Sequence, residues 1–165
     1  MTQTPRFGLP FILLNQAQKE VTHNEALLSL DALVHLLAES AGLVDPPDAP
    51  AEGEAWIVPD GATGLWSGQD NTIAQWAGGA WRFHAPVDGM RAWIRDQALP
   101  ARFEAGAWTV GELRGNAVLV GGEQVVGARA GPIADPAGGT VIDAEARAAV
   151  GAILAALRAH GLIAP

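Results

Sequence analysis

Six tryptophans are the residues whose type and setting most suggest a binding chemistry. The chain contains no tyrosine, and the six are Trp56, Trp66, Trp76, Trp81, Trp93 and Trp108. An exposed indole can stack on the apolar face of a sugar ring while neighbouring amide, carboxylate and guanidinium groups bond the hydroxyls. The alternative is that a small glycine-rich sheet uses these large rings as its core. Trp66 has the most polar loop beside it, so we predict a glycan-binding set of Trp66, Gln69, Asp70, Asn71 and Trp93.

Residues for covalent or metal chemistry are scarce. None of the three serines lies in a Gly-x-Ser-x-Gly turn, the four histidines lack metal-ligand spacing, and there is no cysteine. A glycosidase needs a pair of carboxylates, and only the presence of Glu104 with Glu112 or Asp96 supports one. We therefore predict a protein that is not an enzyme and has no catalytic residue, metal or cofactor. A glycan depolymerase is the enzymatic alternative, and it ranks behind the two non-enzymatic functions given below.

The charge balance argues against nucleic acid as a partner. The net charge is −8, and the ten basic residues are one lysine and nine scattered arginines, whereas nucleic-acid binding needs a basic patch. The start of the chain lacks the apolar stretch of a signal peptide, and no run approaches 18 apolar residues. We expect synthesis in the cytoplasm and no membrane insertion.

The elements that must position these side chains begin with an extended apolar arm over residues 1–14 and one long helix. Residues 15–42 predict a helix from Gln16 to about Ala41, with Asn15 as its cap and Gly42 as its stop. The arm must be buried on its own domain or on a neighbour. The helix either lies on its own domain or packs on copies of itself through a seam at coiled-coil spacing. We expect a homo-oligomer, with a trimer favoured, whose interface includes Phe11, His23, Leu27, Leu30, Val34 and Leu37.

The rest of the chain predicts an antiparallel β domain over residues 53–139 and a C-terminal helix over residues 140–165. Short alternating segments separated by Gly, Pro and Asp indicate a tryptophan-rich meander of hairpins. Turns at Gly78-Gly79 and Ala105-Gly106 would place Trp76 opposite Trp81 and Phe103 opposite Trp108. Asp143 predicts the start of the last helix, and Gly161 its end in a Schellman motif. The predicted fold class is α+β.

Several segments carry a family resemblance. The chain resembles a domain family of unknown function found in bacterial prophage tail-fibre proteins and in spike or fibre proteins of gene transfer agents, the phage-like particles that carry host DNA. The unusual run is Gln18-Lys-Glu-Val-Thr-His-Asn-Glu25, and the similarity continues through Gly53-Glu-Ala-Trp-Ile-Val58, Ile73-Ala-Gln-Trp76, Gly79-Ala-Trp-Arg-Phe83 and Ile142-Asp-Ala-Glu-Ala-Arg147.

The resemblance implies a non-enzymatic virion component, a tail fibre or head spike, that attaches to host cell-surface polysaccharide. Its other partners would be further virion proteins. Such a protein would be assembled into a phage-like particle and become extracellular after lysis. The alternative is a purely structural adaptor that joins a fibre or spike to the particle. The family supplies no catalytic residues.

Overall fold

The computed structural model describes residues 2–12, 19–140 and 143–164, with only the backbone of Lys19. The chain divides into two compact units, Met1–Glu112 and Leu113–Pro165. The boundary lies within the range 53–139 that the sequence analysis assigns to one β domain. Helices and strands occur in both units, and the fold is α+β with a β-rich core.

The N-terminal helix is short. Helix α1 spans Lys19–Leu33, and strand β1 follows at Leu36–Ala38. The prediction of one helix as far as Ala41 is therefore wrong, and Leu27, Leu30, Val34 and Leu37 do not form one helical seam. The backbone turns at His35, whose φ of 47° lies in the left-handed region. The predicted Asn15 cap and the start at Gln16 lie outside the described residues.

A contact from the N-terminal arm explains why the helix ends early. Arg6 donates through Nη1 to the carbonyl oxygens of Asp31 and Ala32, the latter at 3.0 Å, and through Nη2 to that of His35 at 2.8 Å. The carbonyls of Asp31 and Ala32 belong to the last turn of α1, where a helix leaves its acceptors unpaired, and His35 follows the end of the helix. Leu36 and Ala38 are buried in the core, so tertiary packing overrides the helix propensity of the leucine-rich segment.

The arm packs on its own unit. Residues 2–12 double back, with hydrogen bonds from Thr4 N to Leu9 O and from Phe11 N to Thr2 O, both 2.9 Å. The buried carboxylate of Asp31 accepts from Thr4 Oγ1 at 2.6 Å and from the backbone N–H groups of Arg6 and Phe7 at 3.0 and 2.7 Å. The arm is thus a folded-back segment over these residues, not an extended one.

The strands of the first unit form two sheets. Their bounds are β2 Ala55–Ile57, β3 Ile73–Ala77, β4 Ala80–His84, β5 Arg91–Ile94, β6 Leu99–Glu104 and β7 Ala107–Val110. One sheet has the order β2-β3-β4 and the other β1-β5-β6-β7. Strand β1 pairs with β5 in parallel, with Leu36 opposite Ala92. The predicted single antiparallel meander is wrong because β1, from the supposed helix, joins the second sheet at its edge.

Both predicted aromatic hairpins of this unit are confirmed. Trp76 lies opposite Trp81 across the Gly78-Gly79 turn, with ring centroids 5.1 Å apart. Phe103 lies opposite Trp108 across the Ala105-Gly106 turn, with centroids 5.4 Å apart. Local sequence was sufficient here, because a two-residue turn fixes the register of the strands that it joins.

Two buried clusters form the core of the first unit. The larger one is aliphatic and includes Leu36, Ile57, Ile73 and Ile94. The second contains Trp56, Val58 and Trp66, with Trp76, Trp81 and Phe83 packed against it. Tryptophan therefore serves mainly as core on this side of the unit.

The second unit contains a hairpin and a helix. Strands β8, Val118–Val120, and β9, Glu123–Val126, flank a turn at Gly121-Gly122. Helix α2 spans Ala144–Ala159, and Asp143 caps it by accepting from Ala146 N at 2.8 Å. Leu162 N donates to Leu157 O and Gly161 N to Arg158 O, which confirms the Schellman motif. In the described part of the chain, neither helix has the length and hydropathy of a membrane span.

Candidate functional site

Strand β5 presents an arginine and a tryptophan to solvent. Arg91 and Trp93 are exposed, whereas Ala92 and Ile94 between and beside them are buried. This alternation follows from the strand, in which successive side chains point to opposite faces. Trp93 is 48% exposed, whereas the other five tryptophans are buried or half-buried.

The neighbouring strands place two rows of side chains beside this tryptophan. Leu37 of β1 and Pro100 of β6 are the cross-strand partners of Trp93. Arg102 of β6 is the partner of Arg91. These five residues are called the Trp93 face below. It combines an apolar row with a row that carries two positive charges.

A shallow groove of about 230 Å³ opens at one side of the Trp93 face. Its lining is His35, Leu36, Arg91, Ala92 and Trp93. The backbone of His35 is held in its left-handed conformation by the bond from Arg6 Nη2 to the His35 carbonyl. The groove therefore lies on a strand and at a fixed turn, which are rigid supports for a binding site.

Acidic groups lie beside the Trp93 face. None of the acidic residues that the structure describes lines the groove itself. Glu104 pairs with Arg102 at 2.6 Å, and Glu39 pairs with Arg95 at 3.3 Å. Burial raises the pKa of the Glu39 carboxyl, against the opposing effect of Arg95. The charge close to the exposed indole is thus positive, although the chain as a whole carries −8.

A second groove, of about 180 Å³, includes Glu39, Glu52 and Glu54 in its lining. Two of these carboxylates stabilise turns. Glu52 accepts from Gly78 N and Gly79 N at 2.9 and 3.1 Å, and Glu54 accepts from Ala51 N at 2.8 Å. No group of three His, Cys, Asp or Glu side chains suited to a metal ion occurs within the described residues.

The predicted exposure of Trp66 is wrong. Its side chain is 0% exposed, because the short 3-10 turn Gly64–Trp66 directs the ring into the tryptophan cluster. The centroid distances are 6.1 Å to Trp56 and 5.2 Å to Trp81. A ring enclosed in this way cannot stack on a sugar.

The polar loop after Trp66 bonds mainly to its own unit. Asn71 Nδ2 donates to Asp60 Oδ1 at 2.7 Å, and the Asn71 carbonyl accepts from Trp108 Nε1 at 2.9 Å. The Gln69 carbonyl accepts from Thr72 Oγ1 at 2.7 Å. Gln69 and Asn71 are half-buried and Asp70 is exposed, and none of the three lines the groove at Trp93. The structure does not bring the five predicted glycan-binding residues into one site.

The comparisons with known proteins identify the family. Residues 23–109 match the family described as Protein of unknown function (DUF2793), which is more than half of the chain. The chain belongs to this family. No curated protein matches it significantly. The DUF2793 match includes both aromatic pairs, the tryptophan cluster and the whole Trp93 face.

The six predicted interface residues do not share one element. Leu27 and Leu30 lie on α1, Val34 follows the helix, and Leu37 lies in β1. Leu30 and Val34 are 51% and 46% exposed and His23 is exposed, whereas Phe11, Leu27 and Leu37 are half-buried. The seam inferred from the heptad spacing is therefore wrong, and an interface between copies stays a prediction.

The basic part of the site was not predicted from the sequence. Arg91, Arg102 and His35 were not in the predicted set. Arg91-Ala-Trp93 shows the polar–apolar alternation that is typical of a strand, so Arg91 and Trp93 could have been placed on one face. The pairing of Arg91 with Arg102 was harder to predict. Gln97-Ala98 is not a typical turn sequence, so the register between the two strands could not be inferred from it.

Proposed function

We propose that this DUF2793 protein is a non-enzymatic virion component of a phage-like particle, in a tail fibre or head spike, that attaches to host cell-surface polysaccharide. The observation that carries the proposal is the exposed indole of Trp93 beside a groove lined by Arg91 and His35. The family resemblance supports the place in the particle. The chain would be made in the cytoplasm and become extracellular with the particle after lysis.

The chemistry of the groove suits a sugar ring. A ring can stack its apolar face on Trp93, whose neighbours Leu37 and Pro100 widen the apolar surface, while guanidinium and imidazole N–H groups donate to its oxygens. A shallow groove binds weakly, and several copies on one particle multiply a weak affinity through effective concentration. Attachment would therefore depend on a multivalent assembly.

The test compares three forms of the full chain displayed on a multivalent support: unmodified, Trp93→Ala and Leu65→Ala. Leu65 is an exposed apolar residue that does not line the groove, so it controls for loss of surface hydrophobicity. We expect capsular polysaccharide from a natural host to bind the unmodified and Leu65→Ala forms. Trp93→Ala should bind at least about fivefold more weakly, since stacking of a base on an aromatic side chain contributes roughly 1–3 kcal/mol and a sugar ring would stack on the same face of the indole. Unchanged binding by Trp93→Ala would contradict the proposed site, and no binding by any form would contradict attachment.

The second candidate is a structural adaptor, and the hairpin β8–β9 favours it. Val118, Leu119, Val120, Val125 and Val126 are all exposed on this two-stranded sheet. An isolated hairpin is marginally stable in water, and a large exposed apolar patch marks an interaction surface. A homo-oligomer, with a trimer favoured, or another virion protein would cover it. Sedimentation of the unmodified chain and of Leu119→Asp tests whether the hairpin mediates self-association. The variant should have the lower mass, and a monomeric mass for both forms would contradict self-association.

A further inference from the structure

The two arginines of the Trp93 face are an unusual pair. Arg91 and Arg102 are direct cross-strand partners, and both lie on the face opposite the buried Ala92 and Ala101. Like charges directly opposite each other destabilise a sheet. The Glu104 carboxylate, 2.6 Å from Arg102, offsets part of this repulsion on one side of the pair.

The groove lies on the other side of Arg91. His35, Arg91 and Trp93 line it together, and no carboxylate lines it within the described residues. A planar guanidinium binds a carboxylate through two parallel N–H···O bonds. The indole beside it offers a stacking surface on the same strand face, two residues along. One ligand that carries both a carboxylate and an apolar ring face would satisfy both groups.

We propose that the Trp93 groove is specific for an acidic sugar, a uronic-acid residue of a polysaccharide, whose carboxylate binds Arg91 and whose ring stacks on Trp93. This inference rests on the proposed function. The net charge of −8 does not oppose it, because charges more than about 10 Å away are largely screened at ordinary salt concentrations. The positive charge of Arg91, which lines the groove, then decides which sugar binds.

The test uses the full chain and one pair of matched probes: a short galacturonic-acid oligosaccharide and the same oligosaccharide with its carboxylates reduced to hydroxymethyl groups. Titration calorimetry or saturation-transfer NMR measures binding. We expect the acidic probe to bind at least about tenfold more tightly than the reduced probe, which is the usual effect of one hydrogen-bonded charge. Added NaCl should weaken binding of the acidic probe only.

Three variants separate charge, geometry and stacking. Arg91→Gln should remove the preference for the acidic probe, and Arg91→Lys should retain part of it, because lysine keeps the charge but not the planar fork. Trp93→Ala should weaken both probes. Arg95→Gln is the matched control: Arg95 is also exposed and follows the same strand, but it pairs with Glu39 at 3.3 Å, so affinity should stay within roughly twofold.

The experiments distinguish a failure of the acidic specificity from a failure of the attachment function. If host polysaccharide binds through Trp93 but the acidic and reduced probes bind equally, the acidic specificity is overturned and the attachment function stands. If neither host polysaccharide nor either probe binds, both are overturned. A single-stranded oligodeoxynucleotide is the remaining probe, since its bases also stack on tryptophan. Binding of that DNA as tightly as the acidic sugar would overturn the assignment to sugars.

Discussion

Replacement of Trp66 by alanine is expected to destabilise the first unit strongly and to leave the binding groove intact. The ring is fully buried and packs against Trp56 and Trp81. It belongs to the cluster that joins strands β2, β3 and β4 through their tryptophans. Trp66 does not line the groove at Trp93. Loss of stability without a direct loss of ligand contact distinguishes a core role from a binding role.

The magnitude follows from the burial. A tryptophan buries about 150–250 Å², which at about 25 cal/mol per Å² corresponds to roughly 4–6 kcal/mol. Measured truncations of buried Phe or Trp to Ala cost about 3–5 kcal/mol. We therefore expect a loss of about 4 kcal/mol in the free energy of unfolding, which lowers the melting temperature by on the order of 15 °C. That is a large part of a typical domain stability of about 5–15 kcal/mol.

Urea denaturation followed by circular dichroism measures this loss, with Trp93→Ala as the matched control. Trp93→Ala removes the same side chain from an exposed position and should cost less than half as much. Trp66→Phe separates the ring from its N–H: the Trp66 Nε1 has no acceptor within the described residues, so the phenyl ring should recover most of the stability. A Trp66→Ala variant as stable as the unmodified protein would refute the buried placement.

Two further predictions concern His84 in strand β4 and the contact between Gly53 and the N-terminal arm. Burial, with a smaller effect from Arg82, lowers the pKa of His84, whose Nε2 lies 3.1 Å from Gln75 Oε1. Because the unfolded chain binds this proton more readily than the folded chain, the free energy of unfolding should fall as the pH drops below the ordinary histidine pKa. Urea midpoints between pH 7 and 5 should show this fall in the unmodified protein, and His84→Asn should remove it. Gly53→Ala should lower the free energy of unfolding by about 2–4 kcal/mol, because the φ of Gly53 is +86° and a Cβ there would lie 2.6 Å from Pro5 Cγ. The control is Gly61→Ala, at a φ of +75° with no atom within 4 Å of the added Cβ, which should cost only about 1–2 kcal/mol. Equal losses of stability in the two variants would contradict the contact between Gly53 and the arm.

Features encoded by neighbouring residues could be predicted from the sequence. The Gly78-Gly79 turn fixes which residues face each other, so the pairing of Trp76 with Trp81 followed from local spacing. The Asp143 cap and the Gly161 C-terminus of α2 were found for the same reason. These signals act over a few residues and need no knowledge of the rest of the fold.

Features decided by distant contacts could not be predicted in this way. Leu36 and Leu37 continue a helical heptad, but they form a strand because Arg6, some thirty residues earlier, binds the last helix carbonyls and because β5 offers a parallel partner. Trp66 lies beside a polar loop in the sequence, yet its ring is enclosed by Trp56 and Trp81. Polar residues next to a tryptophan in sequence predict that the loop is at the surface, but they do not predict whether the indole ring points into the core.

The same distant contacts connect the N-terminal arm to the candidate site. Asp31 holds the arm through Thr4 Oγ1 and two backbone N–H groups, and the arm in turn places Arg6 against the His35 carbonyl. A non-glycine residue in the left-handed region costs about 1–2 kcal/mol, so His35 needs such a partner to stay there. Strand β1 begins directly afterwards and sets Leu37 beside Trp93. Arg6 is therefore a positioning residue: it fixes the edge of the groove without lining it, and a weakly bound sugar benefits from a groove that is already formed.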